Sequence, residues 1–404
     1  MMRIPMDPQP LVAWTRRLVA AASPNPPGDV RAAADAAAAI LAEAVPAARV
    51  TVHEPAPGIR NLVAVLQGRG PGRRLVFNGH LDTFPVNEAL PWTVPPLGGL
   101  LRDGRLYGRG TADMKGGIAC SIAALAALAA RPEAWTGEAV LALAGDEESM
   151  GPLGTQWLLE NVPAVRGDAV IIGDAGSPRV LRFGEKGFLW LEVEATGRAA
   201  HGAHVHLGDN ALDRLSAALD AIRALRLLPV AAPPAVTAAI VAAQPVSEAL
   251  SGAGEAAVLG QVTVNIGRIA GGTSTNLVPA EARAGIDIRL PVGVSCAAAE
   301  AALPSLPGVT IRVLRRFEPN HTDPDHPLVR GAAAAAARVL GGPCAVNMRV
   351  GGSDSRWFRM AGLPTIVYGP TPFGMGGPDE YVLVEELQQV AEVQALTALA
   401  FLSA

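Results

Sequence analysis

Five short, nearly uninterrupted apolar runs constrain this chain more than any other feature: residues 62–66, 75–78, 139–144, 169–172 and 365–368. A strand that alternates apolar with polar can sit with one face in water, whereas a continuous run must be covered on both faces. Between the runs lie alanine-rich stretches with helical spacing, at 30–44, 115–130, 154–160, 328–340 and 383–402. That alternation predicts an α/β core in which helices cover a largely parallel sheet.

The middle of the chain reads differently. Residues 188–195, 261–266 and 284–289 alternate apolar with polar, the pattern of an antiparallel sheet with one covered face. Asn210 is placed to cap a helix over 211–225, a second helix is expected over 295–303, and 231–243 reads as strand and loop. These elements predict an α+β domain at 184–315, inserted into a larger domain made of 1–183 and 316–404.

Half of the residues are apolar and 17% are charged, which allows a large core and excludes disorder. The net charge is −4, Lys115 and Lys186 are the only lysines, and basic runs stop at pairs such as Arg73-Arg74. Neither nucleic acid nor an anionic membrane is expected as a partner. The apolar stretch 118–130 is too short to span a bilayer, and Pro5, Pro8 and Pro10 interrupt the region where a signal peptide needs an apolar segment. A cytoplasmic location is the expectation. Cys120, Cys296 and Cys344 are odd in number and scattered, which argues against a disulfide framework and a cysteine zinc site.

Chemistry collects where the apolar runs end. The run at 75–78 leads into Gly79-His80-Leu81-Asp82, where His80 and Asp82 share one side of an extended segment. Asp113 precedes a long helix amid a density of glycines that helix capping alone does not require. The run at 139–144 ends in Asp146-Glu147-Glu148, three carboxylates that repel one another unless a cation compensates them. The run at 169–172 ends in Gly173-Asp174. Open α/β sheets bind ligands at these carboxyl ends, so a metal site built from imidazole and carboxylate is the economical reading.

The strings from Ser23 to Gly28, GHLDTFP from Gly79, GRGTADMKGG from Gly108, GDEES from Gly145 and Gly351-Gly-Ser-Asp354 occur in this order. Together they resemble the acetylornithine deacetylase, succinyl-diaminopimelate desuccinylase and glutamate carboxypeptidase family of cocatalytic metallohydrolases. The resemblance implies a mixed-sheet, zinc-peptidase-like catalytic domain with an inserted α+β dimerisation or lid domain. It implies that His80, Asp113 and Asp174 form one metal site, with Asp113 bridging towards a second that includes Glu148. Glu147 would be the general base, Asp82 would steady His80, and the Asp113–Met114 peptide would be cis. His201 would polarise the substrate carbonyl, often across a dimer interface. Asn276 would contact the substrate and Arg289 would grip a substrate carboxylate, with Arg349 and Arg356, which flank the glycine loop, as looser candidates for the same task and Gly352 as a further binding position.

One position departs from the pattern. The family usually carries a histidine ligand shortly before an Asp/Asn-Glu-Tyr string, and here that position is Gly376, ahead of Asp379-Glu380-Tyr381. The second site is therefore expected to be weak or absent, leaving one zinc, manganese or cobalt ion per chain. The leading expectation is a metal-dependent hydrolase of a C–N bond, the amide of a small N-acyl amino acid or related carboxylate, working as a homodimer or higher homo-oligomer. A single-metal aminohydrolase that displaces an amino group from an activated aromatic acid is one alternative, since Phe373, Met375, Gly376 and Gly377 would leave room for a ring. A non-catalytic binding protein on the same scaffold is the other.

Overall fold

The structure is a computed structural model that describes residues 3–403. The described chain forms two compact units: one from 3–183, Thr322–Asn347 and 353–403, the other from Gly184–His321 and Met348–Gly352.

In the first unit a mixed sheet runs in the order Arg49–Ala56, Ile59–Gln67, Glu138–Ala144, Arg74–His80, Ala169–Ile172, Thr365–Val367 and Val180–Glu185. The four inner strands from Glu138–Ala144 to Thr365–Val367 are parallel to one another, and the flanking pairs are antiparallel. The inner strands are the continuous apolar runs, buried on both faces as their composition demands. Parallel strands bring their carboxyl ends to one edge. His80 stands opposite Ala144, and Asn78 opposite Ile172. The residues that follow those strands, Asp82, Asp146–Glu148 and Asp174, thus emerge side by side.

Backbone packing fixes the helix that follows Asp113. Helix Gly116–Ala129 starts against the loop after Ala169–Ile172, so close that a Cβ on Gly117 would lie 1.8 Å from the Gly173 carbonyl oxygen. A Cβ on Gly369 would likewise lie 2.1 Å from the Asp174 carbonyl oxygen. Glycine is required at both positions by approach rather than by dihedral angle. Among the described residues, only the stretch Thr111–Ala129 is long and apolar enough to cross a bilayer, and 78% of its apolar window is buried inside the chain.

The second unit carries a four-stranded antiparallel sheet in the order Thr263–Gly271, Glu281–Leu290, Gly187–Thr196 and Val309–Phe317. Helix Ala211–Arg223, capped by the Asn210 side chain, contributes Leu215, Leu219 and Ile222 to the core on the sheet's covered face. This unit runs on to His321 where the sequence places its edge at 315. The last strand stays paired with Gly187–Thr196 as far as Phe317 opposite Phe188, so the chain cannot leave the sheet earlier. The segment 231–243, read as strand and loop, belongs instead to helix Pro234–Ser251. Pro234 presets the first turn and the alanines favour helix, while Val236, Ile240, Ala243 and Ser247 recur with helical period on its buried side.

Two glycine substitutions separate close approach from conformational freedom. Gly117→Ala is expected to cost about 3 kcal/mol or more, because the new methyl collides with backbone. Gly331→Ala, in the exposed interior of helix Pro327–Leu340 with nothing within 4 Å of a new Cβ, is expected to stabilise by about 0.5–1 kcal/mol. Urea unfolding of the two variants measures both.

Candidate metal centre

His80 ends its strand with a buried imidazole held from both sides. Nδ1 lies 3.0 Å from the Asp82 carbonyl oxygen, and Nε2 lies 3.0 Å from Asp113 Oδ1. Asp113 sits in a wide helical turn, Thr111–Lys115, that interrupts regular dihedrals before helix Gly116–Ala129, and its peptide bond to Met114 is cis. Glu148 completes the group: ligand atoms of His80, Asp113 and Glu148 all lie within 4.8 Å of one another. Asp174, expected with His80 and Asp113, is buried at the end of its own strand and stands outside this trio, its Oδ1 accepting from the Ala175 N–H.

Asp82 does more than orient His80. Its carboxylate Oδ1 is 3.5 Å from His80 Nδ1, so the Asp82 backbone carbonyl makes the closer contact. Asp82 Oδ2 instead accepts from Asn25 Nδ2 and from the backbone N–H groups of Glu147 and Glu148, each at 2.9 Å. Asn25 Nδ2 also reaches Asp146 Oδ1 at 3.1 Å, and Asp146 Oδ1 accepts from Ser149 Oγ at 2.6 Å. The acidic turn is therefore pinned through its backbone, which leaves the side chains of Glu147 and Glu148 to the centre.

The electrostatics call for added positive charge. Burial pushes Glu147 up to about 8 and Glu148 up to about 10, with Asp113 adding repulsion at Glu148. Burial opposes a charged His80, yet its bonds to Asp113 and Asp82 hold it well above the usual imidazole range. Glu148 Oε1 is buried with no hydrogen-bond partner. An orphaned carboxylate oxygen beside an imidazole and a second carboxylate is a donor set that fits a divalent cation such as zinc, manganese or cobalt.

Arg356 and Asp354 lie at the same centre. Arg356 Nη1 is 3.3 Å from Glu147 Oε1, and Asp354 Oδ2 accepts from Thr155 Oγ1 at 2.7 Å. Burial pushes Asp354 up to about 6. Outside the centre, buried Arg109 donates to Glu380 Oε2 at 2.5 Å and to the Gly376 carbonyl at 2.9 Å, with its guanidinium 5.3 Å from the Trp92 ring centre. Glu380 Oε1 accepts from the Ala112 N–H at 3.0 Å. One ion pair thus fastens the loop with Gly376 to the loop with Asp113.

The remaining sequence candidates belong to the second unit. His201 is exposed on strand Ala200–His201, with Nδ1 accepting from the Ala203 N–H at 3.1 Å. The neighbouring Gly202 N–H donates to the Asn276 carbonyl at 2.6 Å. Arg289 Nε is bound to Asp287, and its guanidinium lies 4.9 Å from the Phe188 ring centre. Arg349 and Gly352 fall in Met348–Gly352 of the same unit. Asn25, Arg109 and Glu380 went unassigned in the sequence, although each lies inside one of its distinctive strings.

The chain matches the family model for peptidase family M20/M25/M40 over residues 76–400. It is 31% identical to succinyl-diaminopimelate desuccinylase of Methylorubrum populi over 382 residues, which is 88% of this chain and 91% of that one. A shorter stretch of 167 residues, 40% of this chain and 43% of its relative, is 42% identical to the desuccinylase of Rhodospirillum centenum. Among solved structures it shares the fold of the M20 family metallo-carboxypeptidase Sso-CP2 from Sulfolobus solfataricus, with a TM-score of 0.77, 17% identity, and 98% of this chain and 99% of that one covered. It also shares the fold of the YXEP protein of Bacillus subtilis, a dinuclear metal-binding peptidase, at a TM-score of 0.62 and 16% identity over 97% of each chain.

Breaking the Arg109–Glu380 pair leaves a buried charge alone. Arg109→Met is expected to cost about 3–5 kcal/mol in urea unfolding. The double variant Arg109→Met/Glu380→Leu should recover part of that loss but not all, since the Ala112 N–H still lacks its acceptor.

Proposed function

The chain belongs to peptidase family M20/M25/M40, and on that premise we propose that it hydrolyses the amide bond of a small N-acyl amino acid or related carboxylate at one divalent cation. The observation that carries this reading is the convergence of His80, Asp113 and Glu148, with the half-buried Glu147 next in the chain and left out of the trio. His80, Asp113 and Glu148 would hold the ion, with Asp174 as the neighbouring carboxylate.

When bound, a divalent cation there supplies a Lewis acid that polarises the scissile carbonyl and makes water more acidic. Glu147 takes the proton from the attacking water and delivers it to the leaving nitrogen. His201, from this chain or a second copy, donates a hydrogen bond to the carbonyl oxygen as charge develops on it. Asn276 and Arg289, with Arg349 and Gly352, are proposed to hold the carboxylate end of the substrate. The exposed edge strand Thr263–Gly271 is the proposed pairing edge of a homodimer.

A second reading places a flat aromatic amine in the centre. A Cβ at Gly376 would find only Phe84 Cδ2 within 4 Å, at 3.8 Å, and the neighbouring Phe84 and Met375 are 41% and 44% exposed. That open, apolar-edged space supports it. Assaying N-acyl amino acids and aminoaromatic acids side by side, with free amino acid and ammonia as readouts, separates the two.

Glu147→Gln is expected to lower kcat by about 10²–10⁴-fold while elemental analysis still finds one metal ion per chain. Full activity in that variant would remove Glu147 as the base. A wild-type protein that binds no divalent ion would remove the hydrolase reading itself.

A further inference from the structure

The segment 145–153 carries Glu147 and Glu148, and two asparagines from distant parts of the chain hold it. Asn61, fully buried in strand Ile59–Gln67, closes its ends. Its Oδ1 accepts from the Gly145 N–H at 2.8 Å, and its Nδ2 donates to the Leu153 carbonyl at 2.8 Å. The closure of the loop is thus set by a single amide. Asn25 acts inside it.

Within the loop two carboxylates organise the backbone. Asp82 Oδ2 takes the N–H groups of Glu147 and Glu148 at 2.9 Å each. Asp146 takes the Ser149 hydroxyl on Oδ1 at 2.6 Å and the Leu153 N–H on Oδ2 at 3.2 Å. Two buried carboxylates that share a neighbour repel one another unless a donor joins them. Asn25 Nδ2 is that donor, 2.9 Å from Asp82 Oδ2 and 3.1 Å from Asp146 Oδ1. An amide nitrogen carries two N–H groups, one for each carboxylate, which neither a hydroxyl nor a carboxyl group offers. The amide is itself firmly placed. The Asn25 backbone N–H donates to the Thr83 carbonyl at 2.9 Å, the Thr83 N–H to the Ser23 carbonyl at 2.9 Å, and Ser23 Oγ to the Leu81 carbonyl at 2.7 Å. Asn25 is 6% exposed, and its side-chain donors are committed to the two carboxylates rather than to a substrate.

We propose that Asn25 is a positioning residue for proton transfer: its amide couples Asp82 to Asp146, so the turn bearing Glu147 is held from both flanks. The kinetic part rests on the hydrolase reading above, with Glu147 as the base. The placement of the turn does not.

Two variants of similar shape test this. Asn25→Leu has no donor, and Asn25→Asp lacks the paired N–H groups. Amide hydrogen exchange of the metal-free protein is followed by mass spectrometry over a peptide spanning 145–153. Exchange there should be about tenfold faster in both variants, while helix Gly116–Ala129 exchanges as in wild type. With saturating manganese and an N-acyl amino acid that wild type hydrolyses, kcat should fall about 10- to 100-fold and KM should stay within about twofold. A role in filling space predicts wild-type behaviour from both variants, and that result overturns the proposal. Faster exchange with unchanged kcat overturns it too, as does a KM that rises in step with the loss of kcat, which would put Asn25 on the substrate. If wild type hydrolyses no N-acyl amino acid, the hydrolase reading fails, and the exchange comparison alone decides whether Asn25 holds the turn. Should either variant fail to fold, Asn25→Ala takes its place with the same expected outcomes.

Discussion

The centre depends on one oxygen of a buried carboxylate, Asp82 Oδ2, being met by backbone N–H groups. Asp82 is fully buried, and a charge without water must be met by donors. It meets Asn25 Nδ2 and the consecutive N–H groups of Glu147 and Glu148. Those bonds join three separate stretches of chain: the loop around Asn25, the end of strand Arg74–His80 and the turn after Glu138–Ala144. Because the turn is held by its backbone, two neighbouring half-buried glutamates can face the same centre without spending their own oxygens on fixing the loop.

The glycines do for the framework what Asp82 does for the turn. Gly117 and Gly173 let helix Gly116–Ala129 seat directly on the loop after Ala169–Ile172, so Asp113 and Asp174 are positioned by backbone contact. The Arg109–Glu380 pair then closes the outer loop onto Ala112. Buried ion pairs contribute little net stability against apolar replacements. This one fixes the approach of two loops, a geometric task that non-directional apolar contact performs poorly.

Much of this was legible in the sequence, for a physical reason. Strands covered on both faces must be continuously apolar, and their parallel arrangement carries the residues beyond them to a common edge, so His80, Asp82, Glu147, Glu148 and Asp174 could be named together, while Asp113 was marked by the glycines around it at the start of a helix. The helix Pro234–Ser251 was missed because Pro233-Pro234 at its start and Pro245 inside it are breaker signals, although its buried side has helical period. Asn25, Glu380 and the pairing of Arg356 with Glu147 were out of reach for a different reason. Each is a contact between chain segments more than fifty residues apart, set by loop packing that local pattern does not encode.

Gly376 has a structural task that its backbone alone explains. Its φ of +74° lies in the left-handed region, and its carbonyl accepts from Arg109. Glycine suits that backbone better than any residue with a Cβ, so the loop's shape alone favours it.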